Sequence, residues 1–154
     1  MTYDATDQPY TGRFFDGGHR FALRVYYEDT DAGGYVYHAN FLRFFERART
    51  DMLALAGADI AAMQKAGQGG YVVSKAELNF VRPAHLGDTL VILSWLVDIR
   101  AAACTIQQRV MRNDQSLVEG LVTVAFVGPD GRPKRQPTAW LNAFRLFKGA
   151  DQPQ

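Results

Sequence analysis

Between residues 41 and 55, apolar side chains recur every three or four positions. The apolar positions are Phe41, Phe44, Phe45, Ala48, Met52 and Leu55. Charged residues such as Arg43 and Asp51 occupy the other angles, and Gly57 follows the last apolar position. This spacing predicts a long amphipathic helix with one core-facing stripe, which ends near Gly57.

Five stretches have the composition and turn signals of β-strands, one before the helix and four after it. They span residues 19–27, 72–80, 89–98, 103–112 and 117–127. Within the second stretch, alternation predicts that Val72, Ser74, Ala76, Leu78 and Phe80 share one apolar-facing side. A short terminal helix is predicted over residues 138–147, directly after a proline.

The order of these elements predicts an α+β fold, because the later strands follow one another without helical crossovers. A curved antiparallel sheet wrapped around the long helix fits this order, and so does a helix lying across the sheet in another topology. Residues 1–18 and 149–154 lack periodicity, so we expect flexible segments on either side of one domain at residues 19–148.

Composition narrows the possible functions. The chain has 154 residues, of which 47% are hydrophobic, enough for one domain with a sizeable core. Its formal net charge of +1 gives no global field that favours nucleic acid or an anionic membrane. Cys104 is the only cysteine, which excludes an intramolecular disulfide and a thiol cluster for zinc.

The start of the chain, Met1–Asp7, lacks the basic and apolar regions of a secretory signal. No later apolar run approaches the roughly 18 residues that a membrane span requires. We therefore expect a cytoplasmic protein without an integral membrane segment.

Candidate chemistry is concentrated in residues 26–41, where a strand, a glycine-rich turn and the helix start meet. This stretch contains Asp29, Asp31 and His38. Acids in such a turn can approach a ligand closely, and free N–H groups at a helix start can polarise a carbonyl oxygen, a layout that suits acyl transfer. Acids before a helix are also common as solvated or capping groups, so spacing alone leaves that interpretation open.

Four motifs give the chain a family resemblance. They are Asp-Thr-Asp-Ala-Gly-Gly at 29–34, Val-Tyr-His-Ala-Asn-Phe at 36–41, Phe-Glu-Arg-Ala-Arg-Thr at 45–50 and Val-Ser-Lys-Ala-Glu-Leu-Asn-Phe at 73–80. The chain thereby resembles the 4-hydroxybenzoyl-CoA thioesterase family, within it the Tol-Pal-associated acyl-CoA thioesterases. The resemblance implies a hotdog fold, an antiparallel sheet around a central helix. It also implies a homodimer or homotetramer in which two subunits join their sheets and form active sites at the interface.

The resemblance also implies the roles of two residues. The family's catalytic aspartate, the second acid of its Asp-x-Asp turn, maps onto Asp31. Its oxyanion donor, a backbone N–H at the start of the central helix, maps onto His38. Whether Asp31 acts as general base or nucleophile stays open, as does a direct role for the His38 imidazole.

The implied substrate is an acyl-CoA, hydrolysed to a carboxylic acid and coenzyme A without a metal or other cofactor. Arg100 is the leading candidate to hold the CoA phosphates, because some relatives have a basic cluster in this strand connection. Here the cluster is reduced to Arg100 followed by three alanines. Ser74 either lines the acyl pocket or is a satisfied buried hydroxyl. Acyl carrier protein stays open as a second partner, and the acyl length and aromatic preference are undetermined.

Two other functions compete with hydrolysis. A hotdog dehydratase would favour His38 paired with a helical acid such as Glu46. A noncatalytic acyl-carrier-binding scaffold would keep the fold without the reaction, although the intact segment around Asp31 and His38 argues against lost catalysis.

Overall fold

The computed structural model describes residues 11–146, which contain six strands and three α-helices. The strands are β1 (Arg13–Phe15), β2 (Gly18–Arg24), β3 (Gly70–Phe80), β4 (Thr89–Ile99), β5 (Ala103–Arg112) and β6 (Gln115–Val127). The helices are α1 (Asn40–Leu55), α2 (Ile60–Lys65) and α3 (Thr138–Leu146), and a 3₁₀ turn, Tyr27–Asp29, precedes α1. All six strands form one antiparallel sheet in the order β1-β2-β4-β5-β6-β3.

The predicted amphipathic helix is confirmed as α1. Its predicted stripe is buried from Phe41 to Met52, whereas Leu55 in the last turn is 44% exposed. Arg49 is buried as well. Its Nη1 donates a hydrogen bond of 2.9 Å to Oε1 of Gln108 on β5, which compensates the buried guanidinium. The helix ends as predicted before Gly57, whose positive φ of 91° lets the chain turn away.

The core lies between α1 and one face of the sheet. Ile92 on β4, Ile106 on β5 and Val122 on β6 are each at most 1% exposed and join the same cluster as the helix stripe. At Gly120 on β6 a Cβ would lie only 2.3 Å from Cε2 of Phe45, so the glycine gives the aromatic ring its space. This packing confirms the α+β prediction of an antiparallel sheet against a central helix.

Strand boundaries agree closely with prediction for β4, β5 and β6. The alternation predicted for β3 is wrong across Ser74, because a register shift between Val73 and Lys75 makes Ser74 an extra residue. Residues on the two sides of this bulge therefore change faces, and Ser74 is exposed instead of facing the core.

The prediction of a flexible segment over residues 1–18 is wrong for its last part. β1 pairs with β2 in a tight hairpin whose turn contains Gly17, at a φ of 76°. A strand of three residues is too short to leave a periodic signal in the sequence. Residues 1–10 and the predicted tail at 149–154 lie outside the described residues.

Both short helices flank the sheet. The sequence did not predict α2. Asp59 caps the start of this helix, since its side chain accepts a hydrogen bond from the Ala62 N–H. The predicted terminal helix is confirmed as α3 up to Leu146. No helix within residues 11–146 is long and apolar enough to cross a membrane.

One edge of the sheet is long and open. β3 has 11 residues, and within the described part of the chain its only neighbour is β6. Val72 and Val73 on this strand are 48% and 53% exposed. Open apolar edges of this kind are where another strand can pair.

We predict that Gly120→Ala destabilises the protein by about 1–3 kcal/mol, because the added methyl group overlaps the Phe45 ring. Urea unfolding measures the change. Gly70→Ala on β3 is the matched control, since a Cβ there has no atom within 4 Å. In the double variant Gly120→Ala/Phe45→Leu the loss should be smaller than the sum of the single changes. Equal stabilities for the two alanine variants would contradict this account of the core.

Candidate active site

The segment that connects the 3₁₀ turn with α1, residues 29–38, forms a closed loop that we call the Asp31 loop. Thr30 and Val36 form an isolated antiparallel bridge across it. Inside the bridge, the Asp31 N–H donates to the Tyr35 carbonyl at 2.8 Å and the Gly34 N–H donates to the Asp31 carbonyl at 3.1 Å. Gly34 has a φ of 78°, a conformation that favours glycine. These contacts make the loop a tight turn with Asp31 at its base.

The Asp31 carboxylate is exposed, yet the loop holds it in one orientation. Its Oδ1 accepts hydrogen bonds from the N–H groups of Gly33 at 2.9 Å and Tyr35 at 3.3 Å. Its Oδ2 has no hydrogen-bond partner within residues 11–146. A Cβ at Gly33 would lie 3.2 Å from Oδ1, so a larger residue there would crowd the carboxylate. One oxygen is therefore anchored and the other is open to a ligand.

Asp29 has a different environment. It is only 6% exposed, and its Oδ2 accepts a hydrogen bond of 2.8 Å from the Tyr26 N–H. Its carbonyl accepts from the Tyr37 N–H and from Nδ2 of Asn40 at the start of α1. Asp29 thus stabilises the loop, whereas the Asp31 carboxylate lies at the surface.

The helix start next to this loop offers free donors. The Asn40 N–H donates to the Tyr37 carbonyl and the Phe41 N–H donates to the His38 carbonyl. Neither the His38 N–H nor the Ala39 N–H has an acceptor among the described residues. Such unpaired N–H groups carry the partial positive charge of a helix start and can bind an oxyanion.

The His38 imidazole is exposed and packs against aromatic rings. Its centroid lies 4.6 Å from that of Tyr37 and 6.1 Å from that of Phe80 on β3. No ion pair joins it to Glu46 within the described chain, so a single subunit lacks the pairing that a dehydratase would favour.

Exposed aromatic and apolar side chains surround the loop, a feature that the sequence interpretation did not identify. They are Tyr26, Tyr27, Tyr35, Tyr37, Phe80, Val81 and Leu86. Tyr27 is 84% exposed, and contiguous exposed apolar surface of this kind marks interaction sites. The tyrosines clustered at residues 26–37 were the available signal.

Ser74 and Arg100, the predicted substrate-binding residues, line one surface groove of about 470 Å³ together with Lys75, Thr105 and Thr123. The Ser74 hydroxyl donates to the Thr123 carbonyl at 3.3 Å. Nε of Arg100 donates to Oδ2 of Asp98 at 2.7 Å, so this cation already has a partner. The structure brings the two residues together, but it gives neither a contact with the Asp31 loop.

Other reactive residue types are placed in structural roles. Cys104 is buried, and burial raises the pKa of its thiol to about 11, which disfavours the nucleophilic thiolate. His19 is also buried, and its Nε2 lies 2.6 Å from Oδ2 of Asp51 on α1. The described residues contain no group of three or more His, Cys, Asp or Glu suited to a metal ion.

Comparison with known proteins gives consistent matches. Residues 25–145 match the model of the thioesterase-like superfamily. Over 112 residues the chain is 40% identical to an acyl-CoA thioesterase, YbgC, of Haemophilus influenzae, covering 73% of this chain and 82% of the relative. An acyl-CoA thioester hydrolase, YbgC, of an Escherichia coli O6:H1 strain is 37% identical over 128 residues, covering 82% and 95%. The crystal structure of a probable thioesterase from Bartonella henselae is similar, with a TM-score of 0.73, 34% identity, and coverage of 78% and 99%.

Proposed function

The chain belongs to the thioesterase-like superfamily, and we propose that this thioester hydrolase cleaves acyl-CoA to a free carboxylic acid and coenzyme A. The hotdog fold expected from the sequence is confirmed. One observation carries the proposal. The Asp31 carboxylate is anchored through Oδ1 and open at Oδ2, in the loop that leads into a helix start with free N–H groups.

Asp31 supplies the attack on the thioester carbonyl. As a general base, Oδ2 takes a proton from water and the resulting hydroxide bonds to the carbonyl carbon. The carbon–sulfur bond then breaks, coenzyme A leaves as a thiolate, and Asp31 returns its proton to the thiolate or to solvent. As a nucleophile, Oδ2 bonds to that carbon, coenzyme A leaves as a thiolate, and water hydrolyses the mixed anhydride. Both routes use the same open oxygen and need no metal or redox cofactor.

The His38 N–H is proposed to polarise the thioester carbonyl. Negative charge develops on that oxygen during attack by either route, and a fixed N–H donor stabilises it without reorganisation. The free donor at the start of α1 supports this role. The imidazole is proposed to pack beside the acyl group rather than to move a proton, because within residues 11–146 it has ring contacts only.

The groove shared by Ser74 and Arg100 is proposed to hold part of coenzyme A. Arg100 can bind a phosphate if it exchanges Asp98 for the ligand. This exchange costs little free energy, because the Arg100 side chain is 70% exposed and exposed ion pairs are weak. Ser74 contributes a hydroxyl at the β3 bulge.

Acyl carrier protein remains a proposed second thioester partner, and the cytoplasm is the proposed compartment.

We also propose that the active unit contains two subunits. The open edge of β3 ends at Phe80, whose ring contacts His38, so a strand paired there would lie beside the candidate site. The exposed aromatic side chains around the Asp31 loop would be covered by such a partner. A homodimer meets this requirement, and a homotetramer made of two such dimers meets it as well.

A thiol-release assay across short, long and aromatic acyl-CoAs tests the function. We predict that Asp31→Asn stays folded and lowers kcat by about 10²- to 10⁴-fold, because it removes the base or nucleophile. Asp29→Asn is the matched control. It should lower kcat less, because Asp29 only supports the loop and does not take part in the attack. Near-normal turnover in both variants would exclude Asp31 from the mechanism. A wild-type protein that binds acyl-CoA without thiol release would indicate a scaffold.

A second prediction separates the His38 backbone from its imidazole. His38→Ala keeps the N–H donor, so turnover should fall less than in Asp31→Asn. His38→Pro removes the donor and should lower kcat by about 10²- to 10³-fold. Proline is tolerated near a helix start, and binding of a nonhydrolysable acyl-CoA analogue checks that the variant remains correctly assembled. If that variant hydrolyses substrate as fast as His38→Ala, the oxyanion donor lies elsewhere.

A third prediction concerns assembly. Light scattering should show a dimer or tetramer for the wild type, and Val73→Lys should shift it toward a monomer with little activity, because a charge on the open edge opposes strand pairing. Leu146→Lys is the control, since Leu146 is the last residue of α3 and is 84% exposed. A fully active wild-type monomer at assay concentration would contradict the shared site.

A further inference from the structure

Arg112, the last residue of β5, forms a cluster of contacts beside the Asp31 loop. Its Nη1 lies 2.7 Å from Oδ2 of Asp88 and 3.3 Å from the Pro83 carbonyl, and it donates to both. The same nitrogen is 3.4 Å from Nδ1 of His85. All three partners belong to the turn between β3 and β4, residues 83–88, which we call the bridging segment. One guanidinium therefore holds both ends and the middle of this segment.

Asp88 fastens the bridging segment from the inside. Its Oδ2 also accepts a hydrogen bond of 2.9 Å from the His85 N–H. Partial burial acts to raise the pKa of Asp88, but the hydrogen bonds from His85 and Arg112, together with the positive charge of Arg112, outweigh it and lower the pKa overall. The Asp88 carbonyl accepts from the Val25 N–H, which ties the segment to the end of β2.

The bridging segment is joined directly to the Asp31 loop. The Val36 N–H donates to the Ala84 carbonyl at 2.9 Å, and the Leu86 N–H donates to the Gly34 carbonyl at 3.1 Å. Between these bonds, Tyr35 and His85 form an antiparallel bridge, with ring centroids 5.0 Å apart. The two segments thus form a small ladder of their own.

Tyr35 connects this ladder to the carboxylate. Its carbonyl accepts from the Asp31 N–H and its own N–H donates to Oδ1 of Asp31. A displacement of Tyr35 would therefore alter both the backbone position of Asp31 and the direction of its carboxylate.

From these contacts we propose that Arg112 is a positioning residue for Asp31, acting through Asp88 and the bridging segment. The inference rests on the proposed function in taking Asp31 as the catalytic carboxylate. Arg112 itself lies one residue before the turn into β6 and has no contact with Asp31. Its role is to keep the bridging segment against the Asp31 loop.

The geometry explains why an arginine occupies this position. The guanidinium directs several N–H groups in one plane, so Nη1 binds the bridging segment while Nη2 donates to Oε1 of Gln115 at 3.3 Å. Lysine has a single nitrogen and cannot place donors at the separate positions of Nη1 and Nη2. Arg112 and Asp88 are 25% and 21% exposed, so water only partly replaces a lost contact.

The main test compares Arg112→Gln and Arg112→Lys with Arg82→Gln. Arg82 also lies beside the bridging segment, but among the described residues its side chain donates only to the Ser116 carbonyl. We expect Arg112→Gln to lower kcat by about 10- to 100-fold, because a displacement of about 1 Å at the reacting group has effects of that size. KM should change less than about threefold. Arg112→Lys should recover only part of the loss, and Arg82→Gln should keep normal kinetics.

Amide hydrogen exchange followed by NMR gives a measurement that does not depend on the reaction. In Arg112→Gln without substrate, the Asp31 N–H should exchange about tenfold faster or more, while core amides in β5 and β6 keep their rates. If Arg112→Gln fails to fold, Asp88→Asn replaces it, because the amide oxygen can still accept from His85 while the ion pair is lost. The double variant Arg112→Gln/Asp88→Asn should be no slower in turnover than Arg112→Gln alone, because both changes break the same ion pair.

Two results would overturn the proposal. The first is unchanged Asp31 exchange in a folded Arg112→Gln or Asp88→Asn protein. The second is a kcat of the Arg112→Gln protein that is no lower than that of the Arg82→Gln protein. If the wild type hydrolyses no acyl-CoA, the proposed function fails, but the exchange measurement still decides whether Arg112 holds the loop.

Discussion

The packing of α1 against the sheet is the interaction on which the rest of the structure depends. Phe44 and Phe45 are completely buried, and Gly120 on β6 leaves just enough space for the Phe45 ring. Because α1 begins directly after the Asp31 loop, its position on the sheet determines where the loop lies and where the first N–H groups of the helix point. The hydrophobic core therefore supports the geometry of the candidate site as well as the stability of the domain.

Two aspartates of one short turn have separate roles because their surroundings differ. Asp29 is enclosed and uses its oxygens to hold the Tyr26, Tyr37 and Asn40 donors. Asp31 is exposed, and only one of its two oxygens is engaged by the described residues. A carboxylate with one anchored and one open oxygen is oriented before the ligand arrives, which lowers the entropic cost of reaching a reactive geometry.

Assembly and chemistry are connected in this interpretation. The open edge of β3, the exposed aromatic side chains and the free donor at His38 lie in one region of the subunit, linked by the contact between His38 and Phe80. A second subunit would cover apolar surface and at the same time enclose one side of the candidate site. The bridging segment, which Arg112 binds through Asp88, contacts the Asp31 loop from within the same chain.

The sequence by itself determined the features that arise from local periodicity and local motifs. The helical spacing of apolar residues predicted α1, and alternation and turns predicted β4, β5 and β6. The family resemblance of the motif at residues 29–34 implied the role of Asp31, which stays a prediction. Tertiary structure decided the rest, because it depends on contacts between distant residues. The hairpin of β1 is too short for a pattern, and the bulge at Ser74 arises from pairing with β6. The link from Arg112 to Asp31 exists only because folding brings the end of β5 beside the turn that follows β3.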